Sequence, residues 1–365
     1  MKLTAKREDL LAPLQSVIGV VERRQTMPVL ANALLSARDQ RLSVTGTDLE
    51  VELLAATAQV QVEAPGDITV PGRKFLDILR ALPGGVEVTF TTEGERATVR
   101  AGRSRFTLST LPASEFPVLE EIHAQQTLTL PQGEFRRLID KTHFSMAQQD
   151  VRYYLNGLLL ETVENTLRAV ATDGHRLALC EMSLEAPARA GQVIVPRKAV
   201  LELQRILGTE GNIELAIGTN HIRAQIGEIR FSSKLIDGRF PEYGRVIPDN
   251  PPKVAQADRE LLRQALQRTA ILSNEKYRGI RVGVKPDLLT LQAHNPEHEE
   301  AEDQVEVSYA GDEMEIGFNV SYLLDALGAI ETDQVELGLT DANSSCLIRA
   351  TGLSQARYVV MPMRL

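Results

Sequence analysis

The sequence predicts an α+β fold in which three similar domains follow one another. Related segments begin at Thr69 (TVPGRKFLDILRAL), Val193 (VIVPRKAVLELQRIL) and Ile316 (IGFNVSYLLDALGAI), so they recur after 124 and then 123 residues. Each segment joins a β-rich lead-in to a short amphipathic helix, and alternating apolar and polar stretches between the helices predict strands. Each repeat therefore reads as helix, strands, helix, strands, and we expect domains at residues 1–124, 125–252 and 253–365.

The helices are predicted from apolar stripes at helical spacing. The stripe residues are Phe75, Leu76, Leu79 and Leu82 in the first repeat, and Ala199, Val200, Leu203 and Ile206 in the second. The alternation in VEVTFTTEGERATVRAGRSRFTLS predicts strands joined by turns that contain glycine.

The last residues, YVVMPMRL, occupy the place that FTLSTLPASEFP and FSSKLIDGRFPEY hold in the earlier repeats. We therefore expect the tail to be the final strand of the third repeat. As a strand paired in a sheet, it would hold Val359 to Leu365 in place without further chain to cover it.

Composition limits the function classes. Of the 365 residues, 43% are hydrophobic and 24% are charged, which is typical of a folded protein with a substantial core. No apolar run is long enough for a membrane span, and Cys180 and Cys346 stand in no disulfide or metal motif, so we expect a cytoplasmic protein. The net charge of -9 argues against a nucleic-acid binder unless the basic residues share one face.

Two stretches carry opposite charge in like-shaped repeats at the two ends of the chain. ERATVRAGRSR in the first repeat is basic, and EHEEAED in the third repeat is acidic. This pattern suits a head-to-tail contact between two chains, although two unrelated solvated patches would also produce it.

Motifs for bond chemistry are absent from the sequence: there is no phosphate-binding glycine loop, nucleophile elbow or zinc-protease helix. His294 and His298 lack a third ligand at metal spacing. Asp173 and His175 in TDGHRLALC leave a hydrolase as an alternative, but no nucleophile stands at a matching place, and an Asp-Gly turn with a packed histidine explains them better. A repeat scaffold that binds only proteins is a further alternative.

The repeats, together with TDGHRLAL, QQDVRYYLNG, LSNEKYRG, NPEHEEAED, MEIGFNVSYLLDAL and YVVMPMRL, closely resemble the bacterial sliding clamps, the beta subunits of the replicative DNA polymerase. The resemblance runs along the whole chain. It implies the DNA clamp fold, in which two chains of three domains form a homodimeric ring with helices lining the hole and sheets outside. It also implies a non-catalytic processivity subunit without cofactor or metal, cytoplasmic and associated with the nucleoid.

The resemblance also implies partners and site residues. Duplex DNA of any sequence would pass through the ring. The polymerase catalytic subunit, the clamp loader and repair polymerases would dock through a short Gln-Leu-x-Leu-Phe type peptide. The DNA-side matches are Arg24, Arg73, Gln148, Gln149, Tyr153, Tyr154, Arg197 and Lys198, of which the two tyrosines would serve equally well as packing residues.

The peptide pocket implied by the resemblance lies between the second and third domains. Its matches are Leu155, Thr172, Gly174, His175, Arg176, Leu177, Pro241, Val246, Asn319, Tyr322, Ser345, Val359, Val360, Met361, Pro362, Met363, Arg364 and Leu365. We expect an apolar cleft with a polar rim of His175, Arg176 and Arg364. Asn343 stands where an aliphatic residue is expected, so that wall would be more polar.

The chain-to-chain contact is assigned from the charge pattern with an apolar centre added. Its residues are Lys74, Arg96, Arg103, Arg105, Phe106, Leu108, Ile271, Leu272, Glu297, Glu299, Glu300 and Asp303.

Overall fold

The computed structural model describes residues 1–22, 27–119 and 122–364. Within these residues there are six α-helices, two in each repeat, as the sequence predicted. They are α1 (Arg7–Val17), α2 (Gly72–Ala81), α3 (Gln132–Asp140), α4 (Arg197–Ile206), α5 (Arg259–Ala270) and α6 (Val320–Ala329).

The described residues contain nine strands in the first repeat and eight in each of the other two, and in each repeat one strand precedes the first helix. The first repeat contains β1 (Lys2–Lys6), β2 (Asn32–Arg38), β3 (Arg41–Thr47), β4 (Val51–Thr57), β5 (Val60–Ala64), β6 (Gly66–Pro71), β7 (Glu87–Glu93), β8 (Arg96–Ala101) and β9 (Ser104–Ser109). The second contains β10 (Gln126–Pro131), β11 (Gly157–Val163), β12 (Thr166–Thr172), β13 (Arg176–Ser183), β14 (Gly191–Pro196), β15 (Asn212–Ile217), β16 (His221–Ile226) and β17 (Ile229–Lys234). The third contains β18 (Lys253–Asp258), β19 (Gly279–Lys285), β20 (Leu288–His294), β21 (Glu300–Ser308), β22 (Met314–Asn319), β23 (Gln334–Leu339), β24 (Cys346–Ala350) and β25 (Ala356–Val360).

By its internal contacts the chain divides into two compact units that do not follow the repeats. The first unit comprises Met1–Gly133 and Leu201–Leu235. It holds a five-stranded sheet of order β5-β1-β7-β8-β9 and an eight-stranded sheet of order β10-β15-β16-β17-β4-β3-β2-β6.

The second unit comprises Glu134–Val200 and Ile236–Leu365. It holds a twelve-stranded sheet of order β14-β11-β12-β13-β25-β24-β23-β18-β21-β20-β19-β22. Its main core cluster lies almost entirely in the third repeat and includes the inaccessible side chains of Val320, Leu289 and Ile280.

The units depart from the repeats because sheets continue from one repeat into the next. In the first unit β17 pairs with β4, which places Phe231 opposite Leu53. In the second unit β13 pairs with β25, which places Leu177 opposite Val359. Paired edges leave fewer unsatisfied backbone groups than separate sheets would. The domain boundaries at 124 and 252 stay a prediction.

The predicted helix stripes meet the core, with one correction. Phe75, Leu76 and Leu79 of α2 are buried, and Leu203 of α4 is 1% exposed. Ile206 is only half-buried, and Leu207, the residue after α4, is the buried one instead. The prediction erred by one position because the buried face continues four residues after Leu203, at Leu207, whose N still donates the helical hydrogen bond to Leu203 O at 3.0 Å.

Both cysteines, Cys180 and Cys346, are buried thiols. Desolvation raises the pKa of the Cys346 thiol to about 12. They act as small apolar core residues, as the sequence indicated. In the part of the chain that the structure describes, no helix combines the length and apolar character needed to cross a bilayer.

The tail is a strand for only part of its length. Strand β25 ends at Val360. Two residues later comes Pro362, whose backbone nitrogen carries no hydrogen and so cannot donate a hydrogen bond to a neighbouring strand. The expectation that a strand holds the chain from Val359 to Leu365 is therefore wrong for Met361 to Arg364. Two backbone hydrogen bonds hold the next residues: Met361 N donates to His175 O at 2.9 Å, and Met363 N donates to Gly317 O at 2.7 Å. Leu365 lies outside the described residues.

Tyr358 on β25 provides a test of this packing. Its side chain is 1% exposed and stacks on Phe144 with 6.0 Å between ring centroids. Its hydroxyl is buried and has no hydrogen-bond partner among the described residues. A buried polar group without a partner costs free energy, whereas loss of the ring would leave a cavity. We expect Tyr358→Phe to leave the free energy of unfolding unchanged or to raise it by about 1 kcal/mol, and Tyr358→Ala to lower it by about 3–5 kcal/mol. Urea titration measures both, and a Tyr358→Phe variant weakened by more than about 1 kcal/mol would show that the hydroxyl has a stabilising partner.

Candidate functional site

The pairing of β13 with β25 brings together three buried apolar side chains, here called the floor: Leu177, Leu347 and Val359. Leu177 lies opposite Val359, and Val359 lies opposite Leu347 on the neighbouring β24. All three belong to one buried cluster with Phe240, and Tyr154 packs against it. Strand periodicity places these side chains on the same face of the sheet. The last strand of the third repeat and a central strand of the second therefore share one small core.

Val360 belongs to the opposite face. Its side chain is 1% exposed and lies in the core cluster of the third repeat, because successive strand residues point to opposite sides of the sheet. The expectation that Val360 lines the cleft beside Leu177 is therefore wrong for its side chain. The exposed apolar residues next to the floor are Val246, 39% exposed, and Met361, 36% exposed.

The TDGHR turn is held by the side chains of Thr172 and Asp173. The Asp173 carboxylate accepts hydrogen bonds from His175 N at 2.9 Å and Arg176 N at 3.1 Å. Gly174 has φ +88°, which favours glycine, and a Cβ there would lie 2.9 Å from Nη2 of Arg152. The Asp-Gly turn is confirmed, but His175 is exposed and not packed.

Each of the three side-chain nitrogens of Arg176 donates a hydrogen bond within the chain. Its Nε donates to Asp173 at 3.1 Å, Nη1 to Asp325 at 2.5 Å and Nη2 to Phe144 O at 2.6 Å. Its guanidinium also lies 4.5 Å from the ring centroid of Tyr322. Arg176 was expected to orient a peptide from the rim. Instead, its three hydrogen bonds hold the turn at Asp173 against α6, so Arg176 acts as a positioning residue.

The loop after Phe240 supplies the opposite wall. Pro241 and Val246 are exposed on it, and Tyr243 N donates to Pro241 O at 2.7 Å. The Tyr243 hydroxyl donates to Glu161, and Arg168 Nη1 donates to the same hydroxyl oxygen at 2.6 Å. Burial and the Glu161 carboxylate raise the pKa of Tyr243 to about 12, so the hydroxyl keeps its proton at any physiological pH.

Several other pocket matches have structural tasks of their own. The Asn319 side chain accepts from Ser321 N at 2.9 Å and so caps α6, and its amide donates to Tyr277 O at 3.3 Å. Leu155 is 2% exposed. Ser345, Pro362 and Met363 are half-buried, and Asn343 and Arg364 are exposed.

The DNA-side matches differ in accessibility. Gln148 and Gln149 are exposed, and Tyr153 is 57% exposed with its ring edge-to-face on Tyr154. Tyr154 is half-buried against the cluster that contains the floor, so it is a packing residue there.

The basic residues of the DNA-side set are partly anchored. Arg73 Nη2 donates to Val21 O at 2.9 Å, and Arg197 Nη1 donates to Met146 O at 3.2 Å. Partial burial lowers the pKa of the Arg197 guanidinium. Lys198 is half-buried, and Arg24 lies outside the described residues.

The residues assigned to a chain-to-chain contact lie on two stretches. In the first unit Arg96, Arg103 and Arg105 are exposed on or beside β8 and β9, Lys74 is exposed on α2, Phe106 is half-buried and Leu108 is buried. Strand β9 ends its sheet. In the second unit Ile271 is 76% exposed, Leu272 is half-buried, and Glu297, Glu299 and Glu300 are exposed. Asp303 already pairs with Arg268 at 2.7 Å, which lowers the pKa of its carboxyl.

Sequence reasoning missed the polar network of Glu161, Arg168, Glu181 and Tyr243 that anchors the loop wall. Arg168 Nε donates to Glu181 at 2.6 Å and Nη1 to Glu161 at 3.0 Å. Arg168, Glu161 and Glu181 lie opposite one another on three neighbouring strands. The sequence could not show this, because the register that sets them side by side depends on strand pairing.

The geometry does not support hydrolysis or a metal site. The Asp173 carboxylate holds backbone and arginine N–H groups and is not directed at the His175 ring. Within residues 1–22, 27–119 and 122–364, no group of three or more His, Cys, Asp or Glu side chains is arranged to hold a metal.

Three family models match the chain in order. The N-terminal domain of the DNA polymerase III beta subunit matches residues 1–120, the central domain matches 129–242, and the C-terminal domain matches 244–364. Among curated relatives, the beta sliding clamp of Pseudomonas putida is 56% identical and that of Escherichia coli K12 is 54% identical, each over 100% of both chains.

Solved structures agree with this. The crystal structure of the DNA polymerase III subunit beta from Pseudomonas aeruginosa has a TM-score of 0.97 and 55% identity, with 100% of both chains covered. The Pseudomonas aeruginosa clamp bound to griselimycin matches with the same values. Three tandem domains of the clamp fold are thus confirmed, and the chain belongs to the bacterial DNA polymerase III beta subunits, the beta sliding clamps.

Proposed function

We infer that the chain is a sliding clamp, a non-catalytic subunit that tethers the replicative DNA polymerase and confers processivity. The observation that carries this inference is the agreement of all three repeats, in order and over the full length, with beta sliding clamps at 54% to 56% identity. The turn geometry at Asp173 and His175 gives no support to the hydrolase alternative.

We propose that two chains associate head to tail into a closed ring. Strand β9 ends its sheet, and β21 pairs with β18 only at Val307 and Ser308 among the described residues. Two partly open edges with opposite charge can pair by strand addition. Ile271 and Leu272 would then supply the apolar centre, since exposed ion pairs contribute only about 0–1 kcal/mol each.

Duplex DNA would pass through this ring without sequence preference. A closed ring cannot leave DNA sideways, so its interactions with phosphate can stay weak and mobile. This accounts for DNA association by a chain with a net charge of -9. A protein that encircles DNA would work in the cytoplasm, at the nucleoid.

Partner proteins would dock a Gln-Leu-x-Leu-Phe type peptide beside the floor. Val246 and Met361 offer exposed apolar surface there. Methionine side chains adapt to different ligands, which suits a site shared by the polymerase, the clamp loader and repair polymerases. His175 and Arg364 are exposed at the rim and can contact peptide.

Closure of the ring is tested by comparing retention of the protein on circular and on linear DNA. We expect the assembled protein, once loaded, to stay on closed circular DNA and to leave the same DNA after it is cut once. Gel filtration of the complex before and after cutting measures this. Equal retention on both forms would favour a protein-only scaffold or ordinary DNA binding over a ring.

The dimer contact is tested at its apolar centre. The Ile271→Ala, Leu272→Ala double variant should give folded monomers, because Ile271 is exposed and Leu272 half-buried within one chain and neither supports the core. Light scattering across a dilution series measures the mass. Leu261→Ala, at a side chain 58% exposed on the neighbouring helix, is the matched control. A double variant that remains dimeric on dilution would move the interface elsewhere.

The DNA-binding residues are tested by neutralising Arg24, Arg73, Arg197 and Lys198 to glutamine. Removing one bound phosphate should reduce the slope of log affinity against log salt by about 0.9, equally on any DNA sequence. Lys285→Gln, at an exposed lysine on β19, is the control. An unchanged slope in the quadruple variant, or a sequence preference of the unaltered protein, would contradict the assignment.

The peptide site is tested by removing Met361 to Leu365. Strand β25 stays paired with β13 and β24, so the fold and the dimer should persist while peptide affinity is abolished. Removal of Arg364 and Leu365 alone is the graded comparison: it takes away one rim side chain but leaves the backbone hydrogen bonds of Met361 and Met363, so affinity should fall less than in the longer truncation. Fluorescence anisotropy with a labelled peptide measures affinity. Undiminished affinity of the longer truncation would place the pocket elsewhere.

A further inference from the structure

The floor continues into a second cleft on the same face of the sheet. Two residues along from Leu177 and Val359, the paired residues are Leu179 and Arg357. On β24, Arg349 stands two residues beyond Leu347. Alternation keeps these side chains on the face of the floor, about 7 Å further along the strands. A ligand that crosses the floor in this direction reaches the second cleft within two or three residues.

This cleft has a volume of about 490 Å³. Leu179 and Leu347 line its apolar part, and Ile247 and Pro248 of the loop that also carries Val246 line it as well. Leu347 belongs to both the floor and the cleft, so the two are continuous.

Three guanidinium groups line the cleft: Arg168, Arg349 and Arg357, here called the arginine row. Their carboxylate partners, Glu161, Glu181 and Glu336, are not among the residues that line it. Among described residues the one acidic side chain in the lining is Asp249. The cleft lining therefore holds three guanidinium groups and one carboxylate, and each guanidinium is also paired with a glutamate outside the lining.

Two members of the row have donors to spare within the described residues. The one side-chain hydrogen bond of Arg349 runs from Nε to Glu336, at 2.7 Å, and its side chain is 37% exposed against 12% for that glutamate. Arg357 makes one side-chain hydrogen bond among the described residues, from Nη2 to Glu181 at 3.2 Å; its Nε is buried, so the other N–H groups of the guanidinium are the ones open to a ligand. A guanidinium with unused N–H groups in a half-buried site binds a carboxylate well, because it can donate two parallel hydrogen bonds.

We propose that the arginine row binds acidic residues that flank the docking motif of a partner protein. The proposal rests on peptide docking at the floor and adds a specificity element to it. A peptide is favoured as occupant because Leu179 and Leu347 give the cleft an apolar base continuous with the floor. Partners with Glu or Asp beside the motif would bind more tightly than partners with neutral residues there.

The test compares five labelled peptides by fluorescence anisotropy on the full-length protein. One is Gln-Leu-Ser-Leu-Phe, and the others carry three glutamates or three glutamines at one end or the other. At one of the two ends we expect the glutamate peptide to bind about three- to tenfold more tightly than its glutamine counterpart, the range of a few solvent-accessible charge pairs. That advantage should shrink as the salt concentration rises.

Variants assign the gain to the row. Arg349→Gln, alone and with Arg357→Gln, should remove the glutamate advantage and leave the affinity of the unextended peptide unchanged. Arg281→Gln is the matched control, since Arg281 also pairs across strands, with Glu315 at 3.3 Å, but is not part of the row. Arg349→Gln alone remains decisive if the double variant is unstable.

The outcomes separate two failures. If the unextended peptide does not bind, docking at the floor is wrong and the row proposal fails with it. If that peptide binds but neither glutamate extension exceeds its glutamine counterpart, or the gain persists in Arg349→Gln, only the row proposal is overturned.

Discussion

The hydrogen-bonded pairing of β13 with β25 is the interaction on which the candidate site depends. It brings the last strand of the third repeat against a strand of the second and sets Leu177 opposite Val359. A shift of one residue would exchange Val359 for Val360 on the floor and send Val359 into the other core, because strand side chains alternate. The same register directs Met361 N to His175 O, so strand pairing, and not the tail itself, fixes where the chain runs after Val360.

Arg176 makes this junction rigid in a second way. Its three bonded nitrogens connect the turn at Asp173 to Phe144 and to Asp325 on α6. A half-buried arginine that donates from each of its three nitrogens is stabilising only while every partner stays in place, so the turn and α6 are held together. The backbone of the exposed His175 is therefore held in place by the turn at Asp173.

Much of the fold followed from local patterns in the sequence. The amphipathic stripe of α2 and the alternation through β7, β8 and β9 are short-range signals, and the structure confirms both. Which strands pair across repeats could not be predicted, since many strands have similar alternation and only tertiary packing selects the partner. The same limit applies to the site: the turn at Asp173 is local and was predicted, whereas the role of Arg176 and the face of Val360 depend on distant partners.

The floor and the arginine row differ in the thermodynamics they would give a ligand. Leu177, Leu347 and Val359 are buried and offer no polar group, and the apolar residues exposed next to them are Val246 and Met361. Covering Val246 and Met361 with a ligand's apolar side chains gives a negative heat-capacity change and little dependence on ionic strength. Ligands held only by these apolar contacts would therefore share one temperature dependence of affinity whatever their charge. Calorimetry at several temperatures would distinguish them from ligands that also bind the arginine row.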